Sequence, residues 1–416
     1  MEGVEVPSYF LCPISHEIMR DPVILPTGIT YDRENIERWI FSDKHQTCPA
    51  TKQSLVPEDL DITCNHTLRR LIQAWCAANA AHGVERFPTP RPPVDMAQIA
   101  ALLEEANRPQ TQLTALGKLK AIVLESDRNK RCVEASGAVD VLASIVERSI
   151  RDSLKMEEEL CDVVECTTAT EEALAIFCSL QLSEKSLLHL TQRDVDFVEL
   201  LTKALGRPSY RLRSYSLLLF KYLLSVVDPA RLLSLKREFF EGITKVLQDQ
   251  ISYQATKAAL QVLCVVSPWG KNRLKAVQAG AVRVLIELLL DEKEKRKCEM
   301  ILMILDQLCA CAEGRAELVE HAAGIAVVSK KIRRVSQLAS KMAVKILYSL
   351  VKCSPSPAVL QEMLQYGAVS KFCMLLQMEC DAKVREKIRE ILKLHSRDWR
   401  NSPCLAPQLK ASYPFL

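Results

Sequence analysis

Glycine is scarce, at 12 of 416 residues, and aromatic side chains make up only 6% of the chain. That poverty disfavours β-sandwiches, glycine-rich nucleotide folds and porin-like barrels, and it leaves helix as the first expectation. Neither sign of charge dominates: 55 Lys and Arg face 51 Asp and Glu, a net +4 too diffuse to demand a nucleic-acid partner. The opening MEGVEVPSYFLCPIS lacks a positive segment followed by an apolar run, so no secretory signal is expected. Long hydrophobic runs are missing as well. The most apolar late stretch, Ser216 to Val227, is broken by Lys221 and falls short of the roughly 18 residues that a membrane span needs. A cytoplasmic protein without membrane insertion is the simplest expectation, with a nuclear or peripherally membrane-associated pool also compatible. The 16 cysteines run from Cys12 to Cys404 without a compact framework, which fits buried free thiols in a reducing compartment.

Proline is present but unevenly placed. Eleven of the 19 prolines precede residue 110, and only Pro208, Pro229 and Pro268 fall between residues 110 and 354. The early region, 7–82, is punctuated by DPV, PTG and CPA, whereas 95–395 reads as successive amphipathic helices. Between them, 83–94 carries ERFPTPRPPV, a stiff extended linker. The last residues, 396–416, contain three prolines and no repeated pattern, and are expected to form an irregular tail.

In the early region Asp32 is placed to cap a helix through Phe41, with Ile36, Trp39 and Ile40 as its apolar stripe. A second helix starts at Asn65 or Thr67, with Leu68, Leu71, Ile72 and Trp75 on one face. A domain of about 75 residues has little core, so a metal or a dense hydrogen-bond network is a reasonable stabilising device. Cys12, His16, His45 and Cys48 have spacings that could form one tetrahedral zinc site, and Cys64, His66, Cys76 and His82 a looser set. The lack of any CxxC pair here and the apolar setting of FLCPI favour buried thiols instead, and no metal or cofactor is expected.

The later region repeats. NKRCVEASGAVDVLASIV, NRLKAVQAGAVRVLIELL, GRAELVEHAAGIAVVSKK and AVLQEMLQYGAVSKFCML align on Gly137, Gly280, Gly324 and Gly367, and Gly242 marks a weaker instance. The intervals of 44 and 43 residues between the last three match armadillo or HEAT units, with glycine expected at a sharp turn between two helices. Such units cannot bury their apolar faces alone, so a stacked α-solenoid with an extended binding surface follows. Cys264, Cys298, Cys309 and Cys311 read as core or near-core thiols. Residues 151–172 break the rhythm with eight acidic and two basic residues, which suggests a solvated insertion.

The segment PSYFLCPISHEIMRDPVILPTGITYDRENIERWI, followed by CPATKQSL and NHTLRRLIQAWC, closely resembles the U-box, a metal-free relative of the RING domain of ubiquitin ligases. With the repeats, the chain resembles the plant U-box/armadillo ligases associated with dampening defence signalling. The resemblance implies a mainly α protein: a small α+β U-box followed by a right-handed armadillo-type solenoid. It implies that hydrogen bonds and salt bridges stand where RING domains hold zinc. It places Ile14 and Pro49 on two loops that grip a ubiquitin-conjugating enzyme, Trp39 on the helix beside that groove, His16 at the edge of the contact in place of an apolar residue, and Lys52 at the position that contacts donor ubiquitin. Cys64 stands where the family commonly has proline, a change expected to loosen the start of the last helix.

The implied activity is transfer of ubiquitin from a charged conjugating enzyme to a lysine of a substrate held by the repeats, with no residue acting as a covalent catalyst; U-box domains also dimerise by the same resemblance. Two other readings compete: a noncatalytic armadillo adaptor, and a cysteine nucleophile, for which no activating base is recognisable around any of the 16 cysteines.

Overall fold

The computed structural model describes residues 6–43, 45–55, 62–79, 95–156, 164–193, 196–378 and 380–400. The chain divides into two compact units, one comprising Met1–Val141 with Ser179–Gln181, the other Leu142–Cys178 with Leu182–Leu416. The linker 83–94 and the tail beyond residue 400 lie outside the described residues.

The first unit begins with three short antiparallel strands, β1 (Pro22–Ile24), β2 (Thr30–Asp32) and β3 (Thr63–Cys64), in the order β2-β1-β3. Val23 faces Tyr31 on one side and Cys64 on the other. Helix α1 (Arg33–Glu37) continues into a wider π-helical turn over Arg38–Ser42, and α2 covers His66–Ala78. Asp32 does precede α1, but its side chain makes no cap bond there; Oδ1 accepts from the amides of Arg20 at 2.9 Å and Asp21 at 2.7 Å instead. The core is small, built from Phe10, Val23, Tyr31, Ile36, Ile40 and Ile72 among others. The start of α2 is not loosened by Cys64. Asn65 Oδ1 accepts from Leu68 N at 3.0 Å, and Cys64 Sγ accepts from Arg33 Nη2 at 2.8 Å, so the position keeps both a cap and a side-chain tie.

Helices α3 (Met96–Ala106), α4 (Gln112–Glu125) and α5 (Asp127–Ala135) follow within the first unit, with α4 packed on both others. The chain then runs through α6 (Ala138–Met156), α7 (Val164–Leu180), α8 (Glu184–Thr191), α9 (Phe197–Leu205), α10 (Tyr210–Leu223), α11 (Pro229–Leu233) and α12 (Arg237–Asp249). It continues with α13 (Tyr253–Val266), α14 (Gly270–Gln278), α15 (Ala281–Asp291), α16 (Lys295–Leu308), α17 (Ala312–Glu320) and α18 (Gly324–Lys331). The last elements are α19 (Gln337–Cys353), α20 (Pro357–Gln365), α21 (Ala368–Leu376), α22 (Ala382–Leu394) and α23 (Ser396–Arg400). Every third helix stacks on its counterpart: α10 on α13, α13 on α16, α16 on α19 and α19 on α22. Serine or aspartate opens most of these, with Ser209, Ser252, Ser336 and Asp381 each accepting a backbone N–H of the first turn. The result is an armadillo-type helical solenoid with a continuous apolar interior.

The repeat glycines divide into two kinds. Gly137, Gly280 and Gly367 hold φ of 80°, 76° and 69° at the turn from one helix to the next, as the period required. Gly324 and Gly242 do not turn the chain. A Cβ on Gly324 would lie 2.0 Å from Leu318 O, and one on Gly242, inside α12, would lie 2.8 Å from Leu205 Cβ, so these positions are glycine because neighbouring helices pass close. Two further expectations change. Asp152, Glu165, Glu171 and Glu172 lie within α6 and α7 rather than in a loop, while 157–163, with the other four acidic residues of the segment, falls outside the described residues. The reading of 396–416 as irregular is corrected at its start, where α23 forms and buries Trp399 completely beside His395.

Candidate functional site

The loops that carry Ile14 and Pro49 share one plan. In CPISHE the Cys12 amide donates to Glu17 O at 2.8 Å and the His16 amide donates to Cys12 O at 2.8 Å; in CPATKQ the Cys48 amide donates to Gln53 O at 2.8 Å and the Lys52 amide to Cys48 O at 2.9 Å. Each mouth is closed by an isolated β-bridge, Leu11 with Ile18 and Thr47 with Ser54. Ser15 Oγ and Thr51 Oγ1 each accept from the amide two positions on, both at 3.4 Å. His16 and Lys52 occupy the equivalent position and both hold left-handed backbone, φ 58° and 61°. That conformation costs a side-chain-bearing residue about 1–2 kcal/mol, so each loop is held in shape by its hydrogen bonds.

Each loop is anchored by a thiol with no solvent exposure. Cys12 Sγ accepts from Asp32 N at 3.3 Å and Asn35 Nδ2 at 3.7 Å. Cys48 Sγ lies 3.0 Å from Tyr31 Oη and 3.5 Å from Thr27 Oγ1, while Ala50 N donates to Tyr31 Oη at 3.1 Å. Burial opposes ionisation of Cys48, but hydrogen bonds from Thr51, Tyr31 and Thr27 outweigh it and take the thiol down to about 6. Burial, with Cys48 as partner, pushes Tyr31 upward, so the phenol remains protonated and donates.

Helix α1 and its π-helical continuation tie the two loops together. Asn35 Nδ2 donates to Ser15 Oγ at 3.0 Å on the first loop, and Trp39 Nε1 donates to Thr47 O at 2.8 Å beside the second. Asn35 and Trp39 are one turn apart and share a face. His45 stacks on Trp39 at 3.9 Å. Ile14, Trp39 and Pro49 are half-buried, His16 and Lys52 exposed. The arrangement therefore offers apolar anchors of restricted flexibility beside an exposed ammonium.

Ion pairs consolidate the rest. Asp21 binds Arg33 at 2.7 Å and also Arg69, and the buried Glu37 carboxylate binds Arg33 at 3.5 Å and Arg131 at 3.0 Å. Among the described residues no group of three or more His, Cys, Asp or Glu is placed to hold a metal ion. Of the thiols that made a zinc site conceivable, Cys12, Cys48 and Cys64 are hydrogen-bonded to protein groups and Cys76 is buried in the core; His82 lies outside the described residues. Sequence reasoning placed Asn35 only in the first turn after Asp32; it missed Tyr31, the tie that Asn35 makes to the first loop, and the anchoring role of Cys12 and Cys48. Their signal was the recurrence of Cys-Pro with a hydroxyl residue, Ser15 or Thr51, in matching position.

Comparison with known proteins agrees with this geometry. The family model described as the U-box domain matches residues 6–81, and that of the plant U-box protein ARM repeat region matches residues 97–414. The Arabidopsis thaliana E3 ubiquitin-protein ligase PUB22 is 46% identical over 435 residues, covering 99% of each chain. E3 ubiquitin-protein ligase PUB23 of the same plant is 48% identical over 419 residues, covering 99% of this chain and 98% of its own. A solved structure from a study of the interaction between cadherin and beta-catenin covers 84% of this chain and 62% of that one with a TM-score of 0.56 at 15% identity, a likeness of fold alone. The chain belongs to the plant U-box proteins with ARM repeats and is a U-box E3 ubiquitin transferase.

Proposed function

We propose that the two matched loops and the helix that ties them seat a ubiquitin-charged conjugating enzyme, while the repeats hold a protein substrate whose lysine receives the ubiquitin. The observation that carries this reading is the shared loop plan: two copies of one rigid loop, anchored by Cys12 and Cys48 and tied to one helix by Asn35 and Trp39. Ile14 and Pro49 supply the apolar grip, Trp39 and His16 extend the contact, and Lys52 faces the donor ubiquitin. Half-buried apolar side chains on a rigid frame lose little freedom on binding, which suits a recruitment surface. Lys52 is a point donor on a fixed backbone and can hold carbonyl oxygens of both partners. The ligase then acts by orientation and electrostatics, and the thioester is attacked by the substrate amine.

The division into a U-box domain over 7–82, a linker over 83–94 and repeats over 95–395 belongs to the same proposal, as do self-association through the U-box, a cytoplasmic setting and a role in dampening plant defence. The family resemblance supports these. Titration of isotope-labelled protein with an uncharged conjugating enzyme tests the seat: amide shifts are expected to cluster on 12–17 and 47–53 and around Trp39. Shifts confined elsewhere, or none across a broad panel of conjugating enzymes, would refute it.

A further inference from the structure

The indole of Trp39 is held by two contacts of different kinds. Its Nε1–H donates to Thr47 O at 2.8 Å, and the His45 imidazole stacks on its face, with ring centroids 3.9 Å apart and planes 26° from parallel. Trp39 is half-buried and also packs against the small U-box core. A hydrogen bond at one edge still lets an aromatic ring swing about that point, because two side-chain bonds can turn. A stacked partner opposes the swing by fixing the plane of the ring. Bond and stack together select one orientation of the indole.

A short stretch of chain builds this clamp. The π-helical turn over Arg38–Ser42 is closed by the Asp43 amide, which donates to Arg38 O at 2.9 Å, and the His45 amide then donates to Trp39 O at 3.1 Å. His45 is therefore joined to Trp39 twice, through the backbone and through the ring. Two residues further on, Thr47 accepts the indole N–H and pairs with Ser54 in the bridge that closes the second loop. Imidazole, indole and loop form one run of contacts that leads to Pro49. His45 itself is exposed, so shortening its side chain opens no cavity in the core.

We propose that His45 is a positioning residue of the conjugating-enzyme seat. By stacking on Trp39 it holds the indole plane, and through the indole the Thr47 end of the second loop, in the arrangement that the conjugating enzyme meets. It acts through Trp39 and not by a contact of its own with that enzyme. A side chain already held in its bound orientation loses no further freedom on association, an advantage of about 3- to 10-fold in affinity. This inference rests on the reading that the two loops and Trp39 seat the conjugating enzyme, and it gives a role to a histidine whose spacing alone suggests a zinc ligand.

The test uses the full chain with isotope-labelled tryptophan, first alone and then titrated with the uncharged conjugating enzyme that the wild type binds most tightly in a broad panel. The chain has four tryptophans, and the indole signal lost in Trp39→Ala is that of Trp39. In His45→Ala without any partner, the Trp39 Nε1–H is expected to exchange faster with solvent while the melting temperature stays unchanged. The same variant should bind the conjugating enzyme about 3- to 10-fold more weakly. His45→Phe, which keeps a flat ring, should restore both slow exchange and affinity, and His45→Asn, which keeps only polarity, should restore neither. In a Trp39→Ala background, His45→Ala should change affinity by less than about 2-fold, because its effect passes through the indole. Unchanged indole exchange or unchanged affinity in His45→Ala, no rescue by His45→Phe, or a full loss retained in the Trp39→Ala background would overturn the proposal. Faster indole exchange in His45→Ala, with no member of the panel bound by wild type, would overturn the seat itself and with it the role of His45 there.

Discussion

Tyr31 and Asn35 do the work at the scale of single residues, because each satisfies a buried thiol and a loop atom at once. Removing the phenol oxygen in Tyr31→Phe leaves the Cys48 sulfur and the Ala50 amide without that partner, a loss of about 1–3 kcal/mol that denaturant unfolding of the U-box will show. The Cys48 thiol makes a pH prediction. Its value falls from an ordinary 9.0 to about 6 on folding, so its contribution to stability is present above the unfolded value and is lost as pH drops through about 6. The protection of the Tyr31 and Ala50 amides against hydrogen exchange, relative to the unfolded chain at the same pH, should fall over that acidification, and Cys48→Ser should flatten the dependence. Ile14, Pro49 and Lys52 were legible in the sequence because CPI and CPATK carry a specific resemblance. Tyr31 and Asn35 were not, since a hydroxyl or amide shows its partner only once the strand and helix around it are packed.

At the scale of elements, the glycines separate two physical demands that a repeat count merges. Gly280 needs left-handed backbone with open space around it, so Gly280→Ala should cost about 1–2 kcal/mol. Gly324 needs room for Leu318 O, and there a methyl group must displace backbone. Gly324→Ala is therefore expected to lower the melting temperature more than Gly280→Ala does, measured side by side; the reverse order would contradict the close-approach account. The period showed where helices turn, but which glycine faces a neighbouring carbonyl depends on packing angles that no period encodes. The last repeat makes a similar point. The tail looked irregular because it is proline-rich, yet Trp399 is fully buried, and Trp399→Ala should cost about 3–5 kcal/mol and accelerate exchange first in α22.

For the whole molecule, the account separates recruitment from selection. Ile14→Ala in the full chain should weaken conjugating-enzyme binding while leaving a protein substrate held by the repeats in place, measured by separate titrations. Low glycine, clustered proline and a period of 43 to 44 residues were enough to read the helical solenoid and its small N-terminal partner, because composition and spacing report repeated local rules. The duplication of one thiol-anchored loop left only a short sequence signal, Cys-Pro with a hydroxyl residue two positions on, and the backbone bonds make it plain. The central claim is that these two loops make the ligase work. The most direct measurement is single-turnover discharge of a ubiquitin-charged conjugating enzyme to free lysine, with wild type, Ile14→Ala, Pro49→Ala and the surface variant Leu394→Ala matched for folding. The account predicts acceleration by wild type and Leu394→Ala and a loss of about 10-fold or more in each loop variant; equal acceleration by all four proteins would contradict it.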